Sequence, residues 1–155
     1  MTFIHPDMPA EKDVKSSIHE GGCLCGAIRY RAKADPVALT LCHCRSCRRA
    51  TGGPSVAWAV FPASAFEFIA GSPVRFRSSP SVVRSFCGTC GTSLAWQHDA
   101  RPETMDVTTA SLDHPDDFAP TCEIWIEHKL AWEALSASLP HYPRSSRDSE
   151  PVAQG

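Results

Sequence analysis

No run of apolar residues in this 155-residue chain approaches the roughly 20 that a helix needs to cross a bilayer. No membrane span is therefore expected. Basic residues are not in surplus either: 15 Lys and Arg stand against 17 Asp and Glu, a formal charge of −2. That balance leaves no electrostatic footprint for nucleic acid. The opening Met1-Thr2-Phe3-Ile4-His5-Pro6-Asp7 lacks the charged and apolar regions of a secretory signal. No internal repeat of fixed period is visible. What these absences leave is one globular domain, for which 43% hydrophobic content is sufficient.

Cysteine is the residue that is plentiful, and its placement is not random. Seven of the eight fall in Cys23-Leu24-Cys25, Cys42-His43-Cys44-Arg45-Ser46-Cys47 and Cys87-Gly88-Thr89-Cys90-Gly91. One- and two-residue gaps suit metal ligation, since a turn brings both sulfurs within about 3–4 Å around an ion with Zn–S near 2.3 Å. A disulfide between cysteines one residue apart would close a strained ring. Zinc is the expected cofactor, and reduced thiolates point to a reducing cytoplasm. Cys23, Cys25, Cys87 and Cys90 sum to the four sulfurs of a structural site, with Gly88 and Gly91 allowing a tight knuckle. Cys42, Cys44 and Cys47 supply three ligands and stop. Three protein ligands leave a position for water or substrate, the mark of catalytic zinc.

Both ends read as appendages: residues 1–20 as a flexible extension, and 143–155 as a disordered tail too polar to offset its ordering entropy. The folded unit is expected over 21–142. Its pattern is mostly β. Strands are predicted at Ala27–Ala32, Val37–Leu41, Ser55–Phe61, Phe66–Ile69, Val74–Arg77, Val82–Phe86, Thr92–Gln97, Thr104–Ala110 and Glu123–Glu127. Only Arg45–Thr51 and Asp116–Phe118 suggest short helical turns. The expectation is a β-rich domain of about eight to ten strands.

Gly21-Gly22-Cys23-Leu24-Cys25-Gly26-Ala27-Ile28-Arg29-Tyr30, Cys42 to Arg48, and Arg84-Ser85-Phe86-Cys87-Gly88-Thr89-Cys90-Gly91-Thr92-Ser93-Leu94 together resemble the glutathione-dependent formaldehyde-activating enzyme family. Leu112-Asp113-His114-Pro115, Trp132 and Leu139-Pro140 fit the same pattern, so the resemblance spans about residues 20–142. It implies a zinc-stabilised β-tent of several small antiparallel sheets, as in methionine-sulfoxide reductase B and Rab-exchange zinc proteins. It also implies structural zinc at Cys23, Cys25, Cys87 and Cys90, and catalytic zinc at Cys42, Cys44 and Cys47. The implied reaction joins glutathione to formaldehyde as S-(hydroxymethyl)glutathione, a carbon–sulfur lyase running in reverse. Glu123 departs from the pattern, which often has histidine there.

Around the middle cluster, Arg48 and Arg49 are candidates for holding the carboxylates of a glutathione-like thiol, because a guanidinium fork matches a carboxylate. Arg45 is read as facing water. His43 points away from its ligand neighbours and is read as a supporting or exposed residue rather than a fourth ligand. Cys122 is read as a small buried residue rather than a fourth thiolate. Trp58, Trp96, Trp125 and Trp132 are assigned to packing, and His98, His114, His128 and His141 to the surface. Three functions compete: an enzyme acting on a small thiol and a small aldehyde, a zinc-stabilised binding module without chemistry, and a thiol-sensing switch.

Overall fold

The protein is described here by a computed structural model over residues 17–153. Ten strands run in chain order as β1 (His19–Gly22), β2 (Arg29–Ala32), β3 (Ala38–Cys42), β4 (Val56–Pro62), β5 (Phe66–Ala70), β6 (Val74–Ser79), β7 (Val82–Phe86), β8 (Ser93–His98), β9 (Thr104–Thr108) and β10 (Cys122–Ile124). One α-helix, α1 (Arg45–Thr51), follows β3. The fold is mainly β, as expected.

The strands form two sheets. A three-stranded antiparallel sheet has the order β1-β2-β5, and a seven-stranded sheet the order β10-β3-β4-β9-β8-β7-β6. All pairs in the larger sheet are antiparallel except β10 with β3. Strand β4 explains the centre. Its Val56-Ala57-Trp58-Ala59-Val60-Phe61 lacks polar side chains because β3 and β9 flank it and both faces are largely covered. Fully buried Phe61 joins Tyr30, Leu94 and Val107 in a core that both sheets share. Around Tyr30 the rings of Phe66 and Phe68 pack at centroid distances of 5.4 and 6.4 Å. Burying such rings contributes several kcal/mol each, since truncating a core Phe to Ala costs about 3–5 kcal/mol.

Several boundaries differ from the sequence expectation. Strand β1, His-Glu-Gly-Gly, has no apolar alternation to betray it, and it begins inside the expected extension of residues 1–20; residues 1–16 lie outside the described part. The strand expected at Glu123–Glu127 is confined to Cys122–Ile124, because Trp125 takes a left-handed φ of 59° and Ile126–His128 form a 3-10 turn. The strand expected to reach Ala110 stops at Thr108 and turns through Thr109–Ser111. Pro115–Phe118 is a 3-10 turn. Residues expected in a loose tail run along the domain instead: the Trp125 N–H donates to the Arg144 carbonyl at 3.1 Å, and the Val152 N–H to the His141 carbonyl at 2.8 Å. Among the described residues no helix is long and apolar enough to cross a membrane.

Candidate functional site

Four sulfurs join one turn from each sheet. Cys23 and Cys25 lie between β1 and β2, Cys87 and Cys90 between β7 and β8, and their Sγ atoms all lie within 4.8 Å of one another. Cys25 Sγ stands 3.6 Å from Cys23 Sγ and 3.7 Å from Cys87 Sγ. Both turns close through a glycine at positive φ, Gly26 at 78° and Gly91 at 79°, a conformation costly for other residues. Gly88 does not share this conformation. The turns aim amides at sulfur: Ile28 N–H donates to Cys23 Sγ at 3.2 Å, Thr89 and Cys90 N–H to Cys87 Sγ at 3.4 and 3.5 Å. The Thr92 hydroxyl, 3.2 Å from Cys90 Sγ, leads the interactions that bring that thiol down to about 5. Four clustered sulfurs with amide donors fit a closed tetrahedral zinc.

The second cluster forms where a strand passes directly into a helix. Cys42 ends β3, Cys44 caps α1 in extended conformation, and Cys47 lies in the first helical turn. Their three Sγ atoms fall within 4.8 Å of one another, and no other His, Cys or acidic side chain among the described residues joins them. The Cys47 N–H donates to Cys44 Sγ at 3.3 Å. Hydrogen bonds from the Cys42 and Cys47 thiols hold Cys44 far below the ordinary thiol range, with Arg84 adding positive charge; Cys42 is pushed up in turn. Arg84 Nη2 stands 3.7 Å from Cys47 Sγ. All three cysteines open on a cavity of about 690 Å³. Its charged lining includes Arg45, Arg84, Arg101, Arg147, Asp106 and Asp148.

Residues 18–128 match the family described as glutathione-dependent formaldehyde-activating enzyme. The chain belongs to that family. A relative in Schizosaccharomyces pombe, named as an uncharacterized lyase, is 35% identical over 83 residues, 49% of this chain and 55% of its own length. The chain thus spans little more than half of that protein. A Halomonas elongata protein named "Putative glutathione-dependent formaldehyde-activating enzyme" is 28% identical over 129 residues, 76% of this chain and 81% of its own. The crystal structure of a Rhodobacter sphaeroides protein aligns with a TM-score of 0.55 at 24% identity, covering 67% of this chain and 98% of that one. At that identity the likeness speaks to fold.

Within this member of the family, several side chains stand elsewhere than the sequence led one to expect. Arg45 is exposed, as read, but also lines the cavity, while Arg48 and Arg49 are not among its lining residues. The latter two lie one step round α1, where Arg49 is exposed. Trp58, Trp96 and Trp125 wall the cavity rather than serving packing alone; Trp132 is 74% exposed. His98 and His128 also line the cavity, and His128 stacks on Trp125 at 5.6 Å. Cys122 stands beside Thr40 on β3, two positions back from the Ile124–Cys42 pairing, and is outside the sulfur cluster.

His43 is fully buried beneath the cluster and belongs to no sulfur group. Its Nδ1 is 3.2 Å from Glu133 Oε2, and its Nε2 is 3.8 Å from Glu123 Oε1. Ser55 Oγ donates to Glu133 Oε1 at 2.8 Å. Glu123, 2% exposed, meets His141 Nε2 at 3.2 Å through its other oxygen. The departure from histidine at 123 thus places a carboxylate between two imidazoles. His141, expected at the surface, is a half-buried member of this network. Arg84 opens one of the motifs but is given no role there, and no local signal foretold Arg101, Asp106, Arg147 or Glu133, because strands and loops far apart in the chain bring them together. Asp106 on β9 shares the cavity, where burial pushes its carboxyl up to about 6 despite Arg101 and Arg147.

Proposed function

We propose that this chain is a zinc-dependent carbon–sulfur lyase-like enzyme acting on a thiol–aldehyde adduct, S-(hydroxymethyl)glutathione synthase-like, with glutathione and formaldehyde as the pair it joins. One observation carries the reading: Cys42, Cys44 and Cys47 form a three-sulfur group, without a fourth ligand among the described residues, that opens on a cationic cavity. Family membership and the names of the two relatives agree with it. In this reading Cys23, Cys25, Cys87 and Cys90 hold structural zinc, and Cys42, Cys44 and Cys47 the reactive one. Zinc held by three thiolates would supply a place for an incoming thiol and keep it ionised near neutral pH.

The chain's own residues do the rest. Arg84, 7% exposed, sets a positive charge against the cluster and offers Nη1, a buried donor without a partner. Such an orphan donor costs about 1–3 kcal/mol unless something accepts from it, and a carbonyl oxygen beside the sulfur would. Trp58, Trp96 and Trp125 reduce the water around the reacting atoms. The balance is simple: a sulfur–carbon bond forms as the carbonyl π bond opens, and the thiol proton ends on oxygen. Nothing is oxidised or reduced.

Because glutathione and formaldehyde also combine unaided, the test must read a rate. Exchange between free formaldehyde hydrate and the adduct, followed by NMR, is expected to accelerate with wild-type protein and not with Cys44→Ser. An unaccelerated exchange with a fully zinc-loaded wild type would leave the non-catalytic binding or thiol-sensing module as the better account.

A further inference from the structure

The end of the cavity away from the sulfurs holds charges that the fold does not pair. The Asp106 carboxylate makes no hydrogen bond or ion pair among the described residues, although Arg101 and Arg147 are close enough to act on it electrostatically. Neither guanidinium closes on the carboxylate. Arg101 is held instead over the Trp96 ring, 5.1 Å from its centroid. Arg147 comes from the segment beyond Tyr142, and its side chain is likewise without an ion pair among the described residues. His98 and His128 line the same cavity, as does exposed Asp148. A gap bounded by the partly buried Asp106 carboxylate and two guanidiniums, with Asp148 exposed at its rim, has the charges to receive a zwitterion.

Strand register fixes how far this gap lies from the sulfurs. Asp106 faces Val60 on β4, and Val60 faces Ala38 on β3, four residues before Cys42. At about 3.4 Å per residue, Asp106 is about 14 Å along the strands from Cys42, and two strands across. That is too far for Asp106 to touch a sulfur ligand's reacting atoms. It suits the far end of an extended peptide of two to three residues, each spanning at most about 3.6 Å of backbone, plus side chains. The family match ends at residue 128, whereas Ser145–Asp148 complete this wall.

We propose that Asp106, Arg101 and Arg147 form a recognition subsite for the α-amino-acid end of a peptide thiol, its carboxylate on the arginines and its ammonium on Asp106. This deepens the reading above and rests on it: the sulfur end goes to the three-cysteine cluster. The arginines then act as a bidentate clamp, and the carboxyl left unpaired in the free protein gains its partner.

The test titrates the zinc-loaded full-length chain with glutathione, N-acetylglutathione and 2-mercaptoethanol by calorimetry. N-acetylation removes only the ammonium and makes the ligand more anionic, so attraction to a merely cationic cavity would favour it. Wild type is expected to bind glutathione at least about tenfold tighter than N-acetylglutathione, the scale of one charge-assisted hydrogen bond. Asp106→Asn should erase that ratio. Arg147→Ala, on an exposed segment, should weaken both peptide thiols about tenfold and leave 2-mercaptoethanol unchanged. Equal wild-type affinities for the two peptide thiols, or variants that keep the wild-type ratio, would overturn the subsite while 2-mercaptoethanol binding keeps the open-cluster reading intact. Binding of no thiol at all would remove both.

Discussion

Asp106 shows at residue scale what burying an unpaired carboxylate costs a fold. Its carboxyl rises from 3.8 to about 6 because burial disfavours the charged form. The protonated form is thus the one the folded state prefers. Stability associated with it is complete below about pH 4 and is lost as pH rises through about 6, a difference of about 3 kcal/mol at neutral pH. Asp106→Asn should therefore melt higher than wild type at pH 7, with the gain vanishing near pH 3.5. A variant less stable at pH 7 would mean that Arg101 and Arg147 already stabilise the charge. His43 presents another case, a buried ring with Glu133 Oε2 3.2 Å from its Nδ1 while its Nε2 has no hydrogen bond. Glu133→Gln leaves the imidazole with a weaker acceptor and His43→Ala leaves a carboxylate without its imidazole partner. Breaking a buried pair costs about 3–5 kcal/mol. Denaturant melts should show the alanine variant losing about that much, and a loss under 1 kcal/mol would show that the network is not coupled.

At the scale of elements, legibility followed locality. β4 and α1 could be read directly: one is an apolar run between prolines, the other a helix that starts at a capping cysteine and ends at Gly52, φ 73°. β1 could not, because His19-Glu20-Gly21-Gly22 holds its place by pairing with β2 rather than by its own pattern. Nor could the parallel pairing of β10 with β3, which depends on a return of the chain over some 80 residues. The segment beyond Tyr142 looked too polar to order, and composition cannot register backbone bonds such as Trp125 N–H to Arg144 carbonyl. Removing residues 143–155 should lower the melting temperature by only a few degrees, since few buried apolar groups go with it. Glutathione affinity should fall about tenfold, as in Arg147→Ala. Unchanged affinity in the truncated protein would take this segment out of the site.

For the whole molecule, the two cysteine clusters occupy different places in the fold. The outer group links the three-stranded sheet to the seven-stranded one through a turn of each, whereas the middle group lies within the larger sheet and its helix. A domain of this size has about 5–15 kcal/mol of net stability, and a structural zinc contributes about 10–16 kcal/mol. Cys87→Ser should give an unfolded or aggregating chain, and Cys44→Ser a folded one with β-rich circular dichroism. Equal collapse of both would make the centres equivalent. The sulfurs were legible in the sequence because ligands one to three residues apart belong to single turns. The cavity was not, since β7, β9, α1, the β8–β9 connection and the C-terminal segment each bring charge to it. Arg45, exposed as read, also lines it, whereas Arg48 and Arg49 do not.

Whether the middle centre is open decides the account, and cobalt in place of zinc reads this directly through its ligand-field and sulfur charge-transfer bands. Two cobalt ions should bind. One should give a four-sulfur spectrum indifferent to added thiol; the other should change on glutathione, most strongly as pH rises through neutrality, because the bound thiol gives up its proton. Cys44→Ser should lose that response alone. A second spectrum that ignores every thiol and reads as four sulfurs until Cys122→Ala removes one would contradict the open site.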